Sequence, residues 1–308
     1  MSIKVVCASD NNYAMPLGVM LYSLLKHLNK DSTLEVFVID GGISDKNKSK
    51  ILKSLAFAKD KFKIHWLNPE NSKLFPKIKT SKISHHITQA AYYRLLISDL
   101  LNQDIDKIIY LDSDLLIKAD LTSFWKISLG DYCLGAVQDM GLPYVSSRYG
   151  LTMYQELGLT PDTKYFNSGV MLINLNSWRF QQVSEKVLNF LSKYSDKIRW
   201  HDQDALNVIF AKKWLELDPR WNQIPYILTV KSSQESHLSE QTYNEVVNDP
   251  YIIHYATENK PWKYRVTPRP NDNTYFEYLD QTAWKNWRPK ELLLKRIQRY
   301  KKRFFALK

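Results

Sequence analysis

Short apolar runs alternate with segments of helical apolar spacing along the first half of the chain. Ile3–Ala8, Leu34–Asp40, Phe62–Leu67 and Lys107–Leu111 read as strands. Between them, Leu17–Leu28 repeats apolar residues at helical spacing, a second helix is expected from the capping residue Ser44 to about Ala58, and a third through Gln89–Leu101. This alternation predicts an α/β fold with a mostly parallel central sheet flanked by helices. Ligands of such sheets bind beyond the carboxyl ends of the strands. After a strand at Cys133–Gln138 the pattern loosens. Met140–Lys164 is polar and aromatic, punctuated by glycine and proline, and reads as a long excursion over the ligand-binding face. Order returns with Phe166–Leu175, a helix from Ser177 to about Tyr194, a helix starting near Asp202 and a strand at Tyr251–Tyr255. One domain is expected over residues 1–265, then an aromatic-rich connector and basic tail over 266–308.

Composition places the chain among ordinary globular proteins, with 44% hydrophobic and 24% charged residues. Its two cysteines, Cys7 and Cys133, exclude a disulfide scaffold and sit in apolar stretches that predict buried, reduced thiols. No run resembles a signal peptide or a membrane span, so a cytoplasmic location is expected. The net charge of +11 is unevenly spread: Trp284–Lys308 holds ten Lys/Arg and one acid, leaving the preceding 283 residues at +2. Within that tail Leu293, Ile297, Tyr300 and Phe304 share one helical face among basic residues. A basic amphipathic helix of this kind suits an anionic membrane surface, here the inner face of the plasma membrane, through residues 284–308. A helix packed on its own domain with a solvated basic face is the alternative. No basic patch occurs elsewhere, so nucleic acid is not an expected partner.

Candidate chemistry concentrates at strand ends. The apolar run Ile108–Leu111 delivers Asp112-Ser113-Asp114, and alternate residues of a strand face one side. Two carboxylates there suit a hard divalent cation that bridges a diphosphate; a solvated turn is the plainer use. His254, in the last apolar strand, is either a hydrogen-bonded core residue or a third ligand, and Lys260-Pro261-Trp262 follows it with a cation able to hold phosphate. His201-Asp202-Gln203-Asp204 opens a helix, where acids serve as caps or grip hydroxyls. Ala8-Ser9-Asp10-Asn11-Asn12-Tyr13 follows the first strand, where such residues form turns or meet a nucleotide.

These segments, in this order, resemble the retaining glycosyltransferases of family 8, close to bacterial lipopolysaccharide galactosyl- and glucosyltransferases. The resemblance runs from Ala8–Tyr13 to Lys260–Trp262. It implies a glycosyltransferase A-type nucleotide-diphosphosugar fold, a UDP-hexose donor, a saccharide or glycolipid acceptor, and Mn²⁺, with Mg²⁺ as the alternative. By that resemblance Asp112, Asp114 and His254 would ligate the metal. Ala8, Asp10, Asn12 and Tyr13 would contact uracil and ribose, and His86, Arg94 and Ser113 would belong to the donor site. Asp139, Asn167 and Ser168 would face the donor sugar, Asp202 would bind its hydroxyls, Gln203 would stand beside its reactive carbon, and Lys260 would hold the diphosphate. Asp139, Asp202 and Gln203 form the expected catalytic set. Thr257 departs from the family's usual glycine, which puts backbone contact to phosphate there in question. A sugar-nucleotide nucleotidyltransferase would carry a Gly-rich basic loop after the first strand, and Cys7–Met15 has neither Gly nor Lys. A non-catalytic membrane- or nucleic-acid-binding protein would be free to lose Asp112, Asp114 or His254, and all three are present.

Overall fold

A computed structural model describes residues 1–80, 89–263 and 271–290. The strands are β1 (Ser2–Ser9), β2 (Thr33–Asp40), β3 (Phe62–Leu67), β4 (Lys107–Leu111), β5 (Leu115–Ile117), β6 (Leu134–Gln138), β7 (Phe166–Asn174), β8 (Leu215–Glu216) and β9 (Ile252–His254). Seven of them form one sheet in the order β3-β2-β1-β4-β7-β6-β8. All run parallel except β7, which is antiparallel to both β4 and β6. The expected mostly parallel sheet is therefore present, with one reversed strand at its centre. That reversal has a purpose: it brings the beginning of β7, rather than its end, to the carboxyl edge of β4, with Val170 opposite Leu111.

Helices cover both faces because the strands are apolar on both sides. Val5 and Cys7 of β1 face one core with the Ala14–His27 and Asp45–Leu55 helices; Val6 and Ala8 face the other, with the Leu175–Phe180, Val183–Lys193 and Asp202–Ile209 helices. The Ser44 hydroxyl accepts from the Asn47 N–H and starts its helix as expected. Two expected helices are subdivided. Gln89–Leu96 is a 3₁₀ segment before a short α-turn at Ile97–Leu100. The Ser177–Tyr194 helix is two helices, broken at Gln182, whose φ of 52° cannot continue an α-helix. Both cysteines are free and buried, as read from their apolar surroundings, and burial pushes the Cys7 thiol far above its ordinary pKa.

Residues 271–290 lie against the Ala14–His27 helix. The Tyr22 hydroxyl donates to Gln281 Oε1 at 2.8 Å, and His27 and Tyr278 share a hydrogen bond of 2.7 Å. A Cβ on Gly18 would stand 2.6 Å from the Trp284 ring, so that helix needs a glycine where the indole crosses it. The basic helix expected beyond Lys290 lies outside the described residues. Among the described residues, no helix is long and apolar enough to cross a membrane.

Replacing Gly18 by Val is expected to lift Trp284 off its seat and cost about 1–3 kcal/mol. Limited proteolysis should then cut within 271–290 faster than in the parent; an unchanged cleavage rate would count against this packing.

Candidate active site

The site is assembled at the carboxyl edge of β4. Asp112 follows that strand and Asp114 precedes β5, which pairs with β9 so that Leu115 lies opposite His254. The pairing places the His254 imidazole between the two carboxylates. Nε2 is 3.3 Å from Asp114 Oδ1 and 3.9 Å from Asp112 Oδ2. One ligand atom from each residue lies within 4.8 Å of the others, a cluster able to hold a metal ion.

Each of the three side chains is gripped at its far end. Asp112 Oδ1 accepts from Arg94 at 2.8 Å and from the Tyr110 hydroxyl at 3.1 Å. Asp114 Oδ2 pairs with the Lys260 ammonium, which also donates to the Tyr255 carbonyl. His254 Nδ1 is 2.9 Å from Asn222 Oδ1. What converges on the centre is the second carboxylate oxygen of each aspartate and one ring nitrogen. Two hard oxygens and an imidazole, oriented from behind, fit a divalent transition-metal ion or Mg²⁺. Gly169 adds a steric argument: a Cβ there would sit 2.3 Å from His254 Cε1 and 2.9 Å from Asp112 Oδ2. Only a residue without a side chain leaves room for the cluster.

The electrostatics follow from burial. Asp112 is shifted upward, chiefly because burial penalises its charge, with Arg94 opposing. Asp114 is buried too, but Lys260 and His254 outweigh that penalty and hold its carboxyl well below the usual range. Arg94 is itself buried and stays charged against desolvation because Asp112 and Asp202 flank it. Its Nε lies 2.9 Å from Asp202 Oδ2, and its Nη1 donates to the Ser168 carbonyl at 2.6 Å. Asp202, inside this arrangement, is raised to about 6 by burial, against the pull of Arg94.

Beside the cluster the expected sugar-facing residues form one hydrogen-bonded group. Asn167 Nδ2 donates to Asp139 Oδ2 at 3.0 Å, and Asp139 Oδ1 accepts from the Gly141 and Leu142 amides. Gln203 Oε1 accepts from the Ser168 amide at 3.0 Å, while its Nε2 faces Asp139 Oδ2 at 3.5 Å and the Tyr165 hydroxyl at 3.4 Å. The loop before this helix is fixed by Asp204, whose Oδ2 takes the amides of Arg199 and Trp200 and whose Oδ1 takes the Tyr165 hydroxyl. His201, with φ of 55°, is the strained residue that turns the chain into Asp202 and Gln203.

The loop after β1 closes the other side. Asp10 Oδ1 accepts from the Asn12 and Tyr13 amides, so this carboxylate shapes its own turn. Ser113 donates to the Ala8 carbonyl at 2.8 Å, which ties that loop to the Asp112–Asp114 turn. Asn12 is exposed, and Tyr13 packs edge-on to Trp262 with centroids 6.2 Å apart. Thr257 does not adopt a positive φ, so its backbone conformation does not require the family's usual glycine. His86 lies outside the described residues. Sequence reasoning missed Asn222 and Gly169: amides at helix ends and lone glycines are common, and only long-range contacts reveal their roles.

An α/β sheet with metal-suited carboxylates at the carboxyl edge of its central strand and a cluster of amides alongside is compatible with a glycosyltransferase site. The chain matches the family profile of glycosyl transferase family 8 over residues 4–265, and it belongs to that family. General stress protein A of Bacillus subtilis (strain 168) is 36% identical over 286 residues, covering 92% of this chain and 94% of that protein. Lipopolysaccharide glucosyltransferase WaaO of Escherichia coli (strain K12) is 28% identical over 92% of this chain and 79% of its own. The fold is that of the glycosyltransferase A class. The crystal structure of the galactosyltransferase LgtC in complex with donor and acceptor sugar analogs superposes with a TM-score of 0.76 and 28% identity, covering 91% of this chain and 96% of that one.

Replacing Gly169 by Ala should force His254 and Asp112 apart and weaken divalent-metal binding by about 10- to 100-fold, as losses near metal ligands do. Titration calorimetry with Mn²⁺ measures this, and parent-like affinity would refute the steric role.

Proposed function

We propose that this family 8 glycosyltransferase is a retaining, metal-dependent hexosyltransferase. It moves glucose or galactose from a UDP-sugar to a saccharide acceptor of a cell-surface glycan such as lipopolysaccharide. The observation that carries this reading is the convergence of Asp112, Asp114 and His254 within 4.8 Å, next to Asp202 and Gln203. The names of the WaaO and LgtC relatives supply the sugar class.

In this reading Asp112, Asp114 and His254 hold the cation. A divalent ion bound there supplies positive charge to the diphosphate oxygens as the sugar leaves. The turn Ala8–Tyr13 binds the nucleoside, Ser113 fixes that turn to the metal ligands, and Lys260 adds a cation near the phosphates. Arg94 orients Asp112 and Asp202 together, so sugar hydroxyls bound by Asp202 are placed in register with the metal side. Gln203 stands at the reacting carbon with its carbonyl held by the Ser168 amide, its dipole fixed before any charge develops on the sugar. Asp139 is a poor covalent nucleophile because protein donors contact both its oxygens. That occupancy favours attack by the acceptor on the face from which UDP departs, the leaving phosphate taking the acceptor proton. The proposed cation is Mn²⁺, with Mg²⁺ as the alternative.

The division into a catalytic domain over 1–265 and a connector and tail over 266–308 belongs to the same proposal, with residues 284–308 holding the enzyme to the inner face of the plasma membrane. The end of the family match at residue 265 supports the division. The ten basic residues from Trp284 onward support the attachment.

Incubation with Mn²⁺ and a panel of UDP-sugars, with UDP release as the readout, tests the function. One UDP-hexose should be turned over, and Asp112→Ala should remove at least about 1,000-fold of the rate, the scale of losing a charge-stabilising group. Full activity in that variant sinks the assignment. Because Trp284 is buried in the body, a chain ending at Lys290 is the right comparison for the tail. It should bind anionic vesicles far less than the full chain in co-sedimentation, and equal binding refutes membrane attachment through the basic helix.

A further inference from the structure

Hydrogen positions on an amide or an imidazole normally have to be assigned from their surroundings. Here a backbone group settles them in series. The Gly169 N–H can only donate, and it points at Asn167 Oδ1 at 3.0 Å. The opposite end of the same amide faces Asp139 Oδ2, a carboxylate oxygen that only accepts, at 3.0 Å. Asn167 therefore has one tolerable orientation; the flipped amide would oppose donor to donor and acceptor to acceptor.

Asn222 comes next. Its amide lies 3.0 Å from Asn167 Oδ1, so it must present Nδ2 there, and its Oδ1 is left facing His254 Nδ1 at 2.9 Å. An acceptor at that distance requires the imidazole proton to be on Nδ1. In the neutral ring Nε2 then carries the lone pair, 3.3 Å from Asp114 Oδ1 and 3.9 Å from Asp112 Oδ2, the form that binds a cation. Asn222, Asn167 and His254 are 1%, 7% and 3% exposed, so water offers these groups little alternative partnering.

We propose that Asn222 is a positioning residue. It transmits the hydrogen-bond polarity fixed by Gly169 and Asp139 to His254, holds that ring in its Nδ1–H tautomer, and makes the cation site and the sugar-facing amides one oriented unit. The position of Asn222 serves this: it ends the 3₁₀ turn Pro219–Asn222, and Gln223 beside it accepts the His254 amide on its carbonyl at 2.8 Å. Backbone and side chain of the histidine are thus held by adjacent residues. This inference rests on the proposed reading of Asp112, Asp114 and His254 as the cation site.

The test uses the full chain with ¹⁵N-labelled histidine at a pH above imidazole titration, the His254 signal being identified by its loss in His254→Gln. The parent should show Nδ1 protonated and Nε2 bare. Asn222→Leu should move the ring towards the Nε2–H form and weaken Mn²⁺ binding, measured by calorimetry with the metal alone, by about 10- to 100-fold. Asn222→Asp keeps the acceptor and should retain the Nδ1–H tautomer, with metal affinity within about tenfold of the parent. An Nε2–H signal in the parent overturns the proposal, and so does a folded Asn222→Leu protein with parental tautomer and affinity. Should Asn222→Leu fail to fold, the parental tautomer alone decides. A parent that shows Nδ1–H yet binds no cation supports the relay and removes the metal reading instead.

Discussion

One buried cation joins the two halves of the site. Arg94 comes from the 3₁₀ segment Gln89–Leu96, and its guanidinium meets Asp112 after β4, Ser168 at the start of β7 and Asp202 at the head of a helix. A guanidinium at 6% exposure is tolerable only when carboxylates and carbonyls replace its water, and here they come from three separate parts of the chain. The dependence runs both ways. Asp112 and Asp202 are themselves driven towards protonation by burial, and Arg94 is the charge that opposes it in each. Removing one partner would strand the others, which for buried pairs costs about 3–5 kcal/mol. A point charge on a flexible stem could not serve as well, because the planar fork fixes three directions at once.

Orientation from behind is the second level. Arg94 and Tyr110 hold Asp112, Lys260 holds Asp114, and Asn222 holds His254. Two features of topology make this possible. The antiparallel course of β7 carries Asn167, Ser168 and Gly169 to the edge where β4 ends, and the small β5–β9 pair carries His254 beside Asp114. Asp112, Asp114, His254 and the Asn167–Gly169 stretch sit on or next to strands, so their separations are set by ladder geometry rather than by loop conformation. The strain at His201 is confined to one residue and is bracketed by the Asp204 hydrogen bonds and by the 2.8 Å contact between its ring and Tyr92.

Much of this was legible in the sequence because it is local. Apolar runs located β1 to β4, β6, β7 and β9 within a residue or two, and the Asp-x-Asp after β4 stood out by its position. What escaped was whatever depends on distant contacts. A strand's direction is not written in its residues, so the antiparallel course of β7 left no mark in the sequence. The two- and three-residue strands β8 and β5 are too short to show a period. Gln182 and the 3₁₀ course of Gln89–Leu96 broke two helices whose apolar spacing alone looked continuous. Asn222 and Gly169 were invisible for a related reason: each matters for what it approaches, and those partners lie 32 residues or more away in one case and across two strands in the other. The expectation that Asp139, Asn167, Ser168, Asp202 and Gln203 form one site came from the family resemblance; spacing by itself placed Asn167 and Ser168 in a strand and Asp202 and Gln203 at a helix start.

Charge balance inside the site argues for its ligand more sharply than the net charge of the chain does. Five carboxylates lie within this connected network: Asp112, Asp114, Asp139, Asp202 and Asp204, the last joined through the Tyr165 hydroxyl and Gln203. Arg94 pairs with Asp112 and Asp202, and Lys260 with Asp114. Carboxylates outnumber these cations, and the Asp112 and Asp114 oxygens on the His254 side lie 3.9 and 3.3 Å from its Nε2. A buried excess of this size is unfavourable alone, and repulsion between Asp112 and Asp114 pushes the former upward. A divalent cation held by Asp112, Asp114 and His254 would relieve that repulsion. The charged groups thus gather on the β4–β9 side and the neutral amides of Asn167 and Gln203 on the β7 side, and Arg94 joins the two through Asp112, Ser168 and Asp202.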